Sequence, residues 1–354
     1  MGFDSLQTFP TVDFQNRGIV RRTGSIRLFG ITFVCRFDSS HFVQCNKHFD
    51  SYLFFDIECA NCFDGVGKMC SFGYVVVDED FNVLDSDDVV MNPETEFDWY
   101  LFDPKNKCNL AYSKDYFRMQ HNFEAYHSGI KKLMEMTDRK IVGFSSANDM
   151  GFLVSACERY NLPDINYACY DLAVIVNTAN NVEKGKGLEE WCDVYGVDKS
   201  GLVPHKSVDD AMMTMLLAKA FCEKTGIGIE ELLEKNKGIK LSVEKYLEQR
   251  EISRHNKEVC AKIAELYGKK ARAFLTQRLK GNYAFGFKIK NDVDEAYRLA
   301  NLVYKHGGIL MKSLKSNGTI IVEDDCSENA VAEMKKRNLK AITISEFCDL
   351  VRME

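Results

Sequence analysis

The chain has 354 residues, enough for two or three domains, and its 45% hydrophobic and 12% aromatic content supports a buried core and excludes global disorder. Net charge is −6 but uneven: basic and acidic residues number 6 and 4 in residues 1–50, 16 and 29 in 51–225, and 24 and 19 in 226–354. An acidic middle excludes a passive nucleic-acid coat, which is basic throughout, and suits a carboxylate-rich site flanked by basic segments.

Residues 1–50 read as a small β extension, with a strand over Ser25–Phe37, a turn at Asp38-Ser39-Ser40 and a strand over His41–Cys45. Short apolar strands follow at Tyr52–Ile57 and Cys70–Val77, and the turn Asp78-Glu79-Asp80 leads to a third at Asn82–Leu84 or slightly beyond. Ser113–Met136 is helical in pattern, Lys140–Phe144 is a strand, and a helix over Asp149–Tyr160 ends before Pro163. A strand at Ala168–Leu172 and helices at Gly187–Tyr195 and Val208–Thr225 complete an α/β domain with a mixed sheet over residues 51–225. Residues 226–281 are charged and helical in pattern, a connector. Residues 282–354 alternate again, with strands at 283–289, 309–314, 318–323 and 341–344 and helices at 292–306, 328–338 and 345–353, a small second α/β domain. Ala296, Leu299, Ala300 and Val303 give the first of these helices one buried face.

Thirteen scattered cysteines, with no secretory segment and no run of about 18 apolar residues, predict free thiols in a reducing cytoplasmic setting and no membrane span. Cys59 and Cys62 form a C-x-x-C with Cys70 nearby, but no second ligand pair at zinc spacing accompanies them.

Three segments carry candidate chemistry. In Phe54-Phe55-Asp56-Ile57-Glu58 the acids stand at i and i+2 of a strand, so both side chains leave on one face. Two carboxylates at the end of a buried strand are costly unless a cation pairs with them. In Ile141–Leu153 an apolar strand runs into a helix near Asp149, where Asp149, Ser145 or Ser146 also reads as a helix cap. In His205-Lys206-Ser207-Val208-Asp209-Asp210 a loop histidine precedes an acidic first turn, where the helix dipole favours acids in any case.

Together these segments resemble the DEDDh (DnaQ-like) 3′–5′ exonucleases, the superfamily of polymerase proofreading subunits and of RNA-trimming enzymes. D-x-E matches Asp56 and Glu58, an Asp followed by Phe152-Leu153 matches Asp149, and H-x-x-x-x-D matches His205 and Asp210, with Asp209 the runner-up. Gly187–Trp191 followed by Tyr195-Gly196-Val197 resembles the helix before the third motif. The resemblance implies a ribonuclease H-like α/β fold over 51–225 and phosphodiester hydrolysis at a nucleic-acid 3′ end. It implies two divalent ions, Mg²⁺ or Mn²⁺, held by Asp56, Glu58, Asp149 and Asp210, with Asp56 bridging, and His205 as general base. Cys59, Ala60 and Phe152 would contact the terminal nucleotide. Cys59-Ala60-Asn61 stands where the family is Thr-rich, and Phe144-Ser145 where it has His-Asn, so substrate preference departs more than catalysis.

Residues 282–354 resemble a BRCT domain in Gly307-Gly308 after the first helix, a pairing of the second and third strands, and Ile342–Phe347 entering the last helix. Phe347 stands where many members have Trp, and Phe285-Gly286-Phe287 lacks the Ser/Thr-Gly phosphate pocket, so the resemblance implies a protein or DNA-end partner. It tilts the polymer towards DNA, in replication or repair. An RNA-trimming enzyme is the alternative, and a non-catalytic scaffold, which would ordinarily lack a catalytic acid, ranks behind both.

Overall fold

The computed structural model describes residues 51–103, 105, 106, 109–271 and 278–352, together with two strands nearer the N-terminus. Those strands, β1 (Thr23–Leu28) and β2 (Ile31–Arg36), pair antiparallel with Leu28 opposite Ile31. The single strand expected over Ser25–Phe37 is therefore a hairpin, and the sequence between its arms carries a glycine, which weakens a strand interior. The strand expected at His41–Cys45 lies outside the described residues. The chain divides into two compact units between Val243 and Glu244.

The first unit contains β3 (Ser51–Cys59), β4 (Met69–Val77), β5 (Val83–Val90), α1 (Lys114–Arg118), α2 (Phe123–Met134), β6 (Arg139–Gly143) and α3 (Ala147–Tyr160). Then come β7 (Ala168–Asp171), α4 (Leu172–Ala179), α5 (Leu188–Tyr195), α6 (Ser207–Thr225), α7 (Ile229–Lys235) and β8 (Leu241–Ser242). Strands β3 to β8 form one mixed sheet in the order β5-β4-β3-β6-β7-β8, in which β3/β6 and β6/β7 are parallel and the other pairs antiparallel.

Strand alternation divides β3 between two faces. Tyr52 and Phe54 join Val75, Val77 and Val142 in a core cluster with Trp191 and with Leu217 and Phe221 of α6. On the other face Phe55 stacks on Phe72, with ring centroids 6.1 Å apart. Each fully buried side chain of this size stabilises the sheet by roughly 1.5–3 kcal/mol. β4 is buried at all nine positions, so it shows a continuous apolar run in place of alternation.

Several elements differ from the sequence expectation. β5 continues through Asp85-Ser86-Asp87-Asp88 to Val90, because an edge strand tolerates polar residues that read as a loop. The helical stretch 113–136 breaks into α1 and α2, with Asn122 as the second N-cap. α4 follows β7 without a loop because Asp171 accepts the Ala173 N–H at 3.0 Å and caps the new helix. Residues 226–281 are not helical throughout. Their first part adds α7 and β8 to this unit: Ile229, Leu232 and Leu233 enter the same core, and Cys169 of β7 pairs with Leu241. Lys140 ion-pairs with Glu230, which also accepts the Tyr52 hydroxyl at 2.9 Å.

The second unit comprises nearly all of α8 (Val243–Leu266), then β9 (Asn282–Phe285), α9 (Phe287–Asn291), α10 (Val293–Lys305) and β10 (Ile309–Leu310). β11 (Gly318–Val322), α11 (Glu328–Lys336), β12 (Leu339–Thr343) and α12 (Ile344–Arg352) complete it. Its four strands are all parallel, in the order β10-β9-β11-β12. Val259 and Ile263 of α8 pack in one cluster with Leu299, Ala300, Val303 and Phe347. The strand expected over 283–289 stops at Phe285 and turns through Gly286 into α9. The expected pairing of the second and third strands does not form, since β9 lies between them. A link as short as Met311–Asn317 joins antiparallel neighbours readily, whereas parallel neighbours need a dozen residues or more. Among the described residues, no helix of the chain is long and apolar enough to cross a membrane.

Candidate metal centre

Asp56 and Glu58 continue the β3 face that carries Tyr52 and Phe54. In register, Gly73 of β4 lies opposite Asp56 and Ser71 opposite Glu58. Gly73 lets the first turn of α6 rest on the sheet: a Cβ there would stand 2.0 Å from the Ser207 carbonyl carbon and from the Val208 nitrogen. The ladder shifts register between Glu58 and Cys59, a bulge of the kind that re-aims side chains next to sites.

The loop before α6 brings the third motif to this strand. His205 has a left-handed backbone, φ 59°, which costs a non-glycine residue about 1–3 kcal/mol unless its surroundings hold it. Here its N–H donates to Asp210 Oδ2 at 3.0 Å and its carbonyl accepts the Ala111 N–H at 3.3 Å. Its Nδ1 lies 3.3 Å from Glu58 Oε1. Asp209 turns elsewhere, accepting the Val203 N–H at 3.1 Å and pairing with Lys206 at 3.2 Å, which leaves Asp210 facing the cluster. Glu58, His205 and Asp210 each offer a ligand atom within 4.8 Å of the others, an arrangement able to hold a divalent metal ion.

Asp149 sits in the first turn of α3, 5% exposed. It is not the N-cap. That position is Ser146, whose side chain makes no capping bond, and Asp171 takes over by accepting the Ser145 and Ser146 N–H groups at 3.0 and 3.1 Å. Ser145 is held left-handed at φ 58° by the same turn.

The carboxylates burden one another. Burial first, then repulsion from Asp149, Glu58, Asp210 and Asp88, holds the Asp56 carboxyl well above the usual range. Burial and the charges of Glu58 and Asp171 do the same to Asp149, against a pull from the Ile57 backbone. Burial and Glu58 push Asp210 up to about 7, with His205 opposing. The bond to Glu58 raises His205, against desolvation. Among the described residues, no lysine or arginine ion-pairs with Asp56, Glu58, Asp149 or Asp210. Hard oxygen donors with no lysine or arginine among them fit a divalent ion.

Of the residues expected to touch substrate, Cys59 is half-buried, with its Sγ 3.8 Å from Cys62 Sγ. Ala60 is fully buried, and its N–H and carbonyl bond Lys68 and Asp98, both at 2.8 Å. Phe152 is half-buried and fills the space beside Gly67, where a Cβ would lie 2.0 Å from its ring. The sequence reading missed Asp171 and Asp88. An acid ending a strand before an apolar run could have flagged Asp171 as a cap, whereas Asp88 lies in an Asp-rich stretch with no motif.

Residues 53–218 match the RNase T family model, described as exonuclease. The match supports a mixed α/β, ribonuclease H-like fold of DEDDh 3′–5′ exonuclease type for this segment, and it stops short of the second unit. No curated protein matches the chain. Among solved structures, the chain is similar to the nuclease domain of 3′hExo, a DEDDh family member bound to rAMP, at 17% identity and TM-score 0.42, covering 50% of this chain and 94% of that one. A 3′-exonuclease that recognises the 3′ end of the histone mRNA stem-loop gives 15% identity and TM-score 0.43, covering 51% and 84%. E. coli exonuclease I in complex with a dA16 oligonucleotide gives 16% and 0.43, and there the similarity covers 52% of this chain but 42% of that chain.

Proposed function

We propose that the chain is a metal-dependent 3′–5′ exonuclease that hydrolyses phosphodiester bonds at nucleic-acid 3′ ends. The convergence of Asp56, Glu58, Asp149 and Asp210 with His205, with no lysine or arginine ion-paired to the four acids among the described residues, carries this reading. The four carboxylates would hold two ions, Mg²⁺ or Mn²⁺, with Asp56 shared between them. Bound there, the ions would lower the pKa of a water and neutralise charge on the leaving oxygen. His205 would take the proton of the attacking water. The Glu58 carboxylate can only accept, so Nδ1 carries the hydrogen between them and Nε2 is left as the base. Cys59 and Phe152 would contact the terminal nucleotide, whereas Ala60 is buried in a core cluster with Cys70 and Phe97.

Residues 51–225, completed by 226–243, would form the nuclease domain, in a cytoplasmic protein. The C-terminal unit is read as BRCT-like, a site for a protein or DNA-end partner, and it carries the choice of DNA. Its parallel four-stranded sheet supports that reading. So does Gly307-Gly308, where Gly307 has φ 90° and a Cβ on Gly308 would lie 2.8 Å from Val303 and 2.9 Å from Tyr283. Matched 5′-labelled DNA and RNA oligonucleotides, single- and double-stranded, with Mg²⁺ or Mn²⁺, test the whole proposal. Stepwise shortening from the 3′ end of DNA, abolished by Asp56→Ala, is the expected result. Undiminished degradation by that variant would overturn the ligand assignment, and preference for RNA would overturn the polymer.

A further inference from the structure

We infer that Asp88 is a positioning residue for the metal centre, acting through Ser207 to hold the start of α6 against β3 and β4. The inference rests on the nuclease reading above and adds to it a carboxylate outside every motif.

Asp88 stands on edge strand β5, opposite Gly73 of β4, which is in turn opposite Asp56 of β3, so the three lie in one row across the sheet. Its Oδ1 accepts the Ser207 hydroxyl at 2.6 Å and its Oδ2 the Tyr112 hydroxyl at 2.7 Å. Ser207, fully buried, is the first residue of α6, and its Oγ also lies 3.0 Å from the Oγ of Ser71, the cross-strand partner of Glu58. One buried hydroxyl therefore ties the helix that carries Asp210 to the strand beside Glu58.

The same segment fastens the helix a second time. Tyr112 reaches Asp88 through its hydroxyl, while the neighbouring Ala111 N–H donates to the carbonyl of His205. The Ala111 bond holds the carbonyl side of the left-handed His205 backbone, whose N–H is held by Asp210, and Gly73 offers α6 a flat surface with no side chain to key it in place. Hydrogen bonds from buried groups to a carboxylate are shorter and about twice as strong as neutral ones, which suits Asp88 to the task. Burial raises its carboxyl, and the bonds from Ser207 and Tyr112 oppose that rise.

Full-length protein would be assayed as Asp88→Ala, Asp88→Asn and Ser207→Ala, with 3′-end trimming kinetics and, separately, Mn²⁺ affinity without nucleic acid. Losing an orienting partner of a metal site typically costs about 10- to 100-fold. Asp88→Ala should lose kcat and Mn²⁺ affinity to that order while KM for the oligonucleotide holds. Ser207→Ala should fall in the same direction. Asp88→Asn should recover most of the loss, since its amide can accept from Ser207 and donate to Tyr112. A folded Asp88→Ala with wild-type kcat and Mn²⁺ affinity overturns the inference. Equal damage in Asp88→Asn and Asp88→Ala also overturns it, because the charge itself would then be in use. Should Asp88→Ala not fold, a wild-type Ser207→Ala sinks it. If the unaltered protein trims no oligonucleotide, the nuclease reading fails while the Mn²⁺ affinities still decide the role of Asp88.

Discussion

Gly73 lies so close to the first turn of α6 that a methyl group in place of its hydrogen would stand 2.0 Å from the Ser207 carbonyl carbon. The three atoms nearest it, the Ser207 carbonyl carbon and oxygen and the Val208 nitrogen, are backbone, so no flexible side chain can yield, and the helix itself would have to lift. Gly73→Ala should therefore displace His205 and Asp210 from Glu58. A stability loss of about 1–3 kcal/mol, as for other overpacked sites, should appear as a lower urea midpoint, with trimming reduced roughly ten-fold. An unchanged midpoint would show that α6 is not seated there.

Stability and activity should part company at Asp56. Ionised Asp56 is opposed by burial and by three neighbouring acids of the cluster, so Asp56→Asn removes a repulsion from the metal-free protein. In EDTA the variant should melt higher than wild type, by an amount on the order of 1 kcal/mol per pKa unit relieved. It should be inactive, and it should lose the rise in melting temperature that Mn²⁺ produces in wild type. Melting below wild type in EDTA would contradict the crowding of carboxylates described above.

The pH dependence follows from two groups of the same sign. Asp210 holds its proton up to about 7 in the folded protein against an ordinary 3.8, so its contribution is full below pH 3.8 and lost as pH rises towards 7. His205 is also raised, from 6.5, so its contribution is full below 6.5 and lost as pH climbs through its folded value. Metal-free protein should lose melting temperature between pH 5 and pH 8 more steeply than Asp210→Asn. Because ions bind the deprotonated ligands, the stabilisation by Mn²⁺ should grow over the same range. Parallel profiles for the two proteins in EDTA would refute the assignment.

At His205 the side chain and the backbone make separate demands. Asn and Gly adopt a left-handed backbone more readily than Ala, so His205→Asn and His205→Gly should be more stable than His205→Ala. All three should lose roughly 100- to 10,000-fold in kcat, the usual worth of a general base. Differential scanning calorimetry gives the stability order, and single-turnover trimming gives the rate. A near-wild-type rate in any of them would remove the base from His205.

The boundary at Val243 can be tested by truncation. A chain ending at residue 243 keeps α7, β8 and the buried Ile229, Leu232 and Leu233, whereas one ending at 225 loses all of them. Three core side chains are worth several kcal/mol, roughly 1.5–3 each, so only the longer fragment should unfold cooperatively in urea. Cooperative unfolding of the shorter one would place the end of the core at α6.

The motifs of the candidate site stood out in the sequence because each couples a charged residue to an element boundary that the apolar pattern also marks. Asp56 and Glu58 follow Tyr52–Phe55 on a strand, and Asp210 opens a long apolar helix. The central strands and the helices α10, α11 and α12 of the C-terminal unit were readable for the same reason, whereas α9 fell inside the strand expected over 283–289. What escaped were features set by partners distant in sequence. Nothing near Asp88 announces that Ser207, over a hundred residues away, will meet it. α4 hid because the expected strand took Leu172, and the short apolar run after it shows no polar face to mark a helix. α7 and β8 were hidden in a charged stretch whose few apolar residues find the core only once the sheet exists. Asp149 was ambiguous as ligand or cap, and Asp171, which serves the turn, resolves what holds the helix start.

The edge strand β5 has a consequence outside the metal centre. An open sheet edge offers unpaired backbone groups to any other strand, and proteins deter such pairing with charge. Asp85, Asp87 and Asp88 stand along that edge, while the opposite edge ends in the two-residue β8. Two copies meeting edge to edge at β5 would bring these acids together, so strand-to-strand aggregation is opposed there. Replacing the run with apolar residues would be expected to cost solubility as the concentration of protein rises.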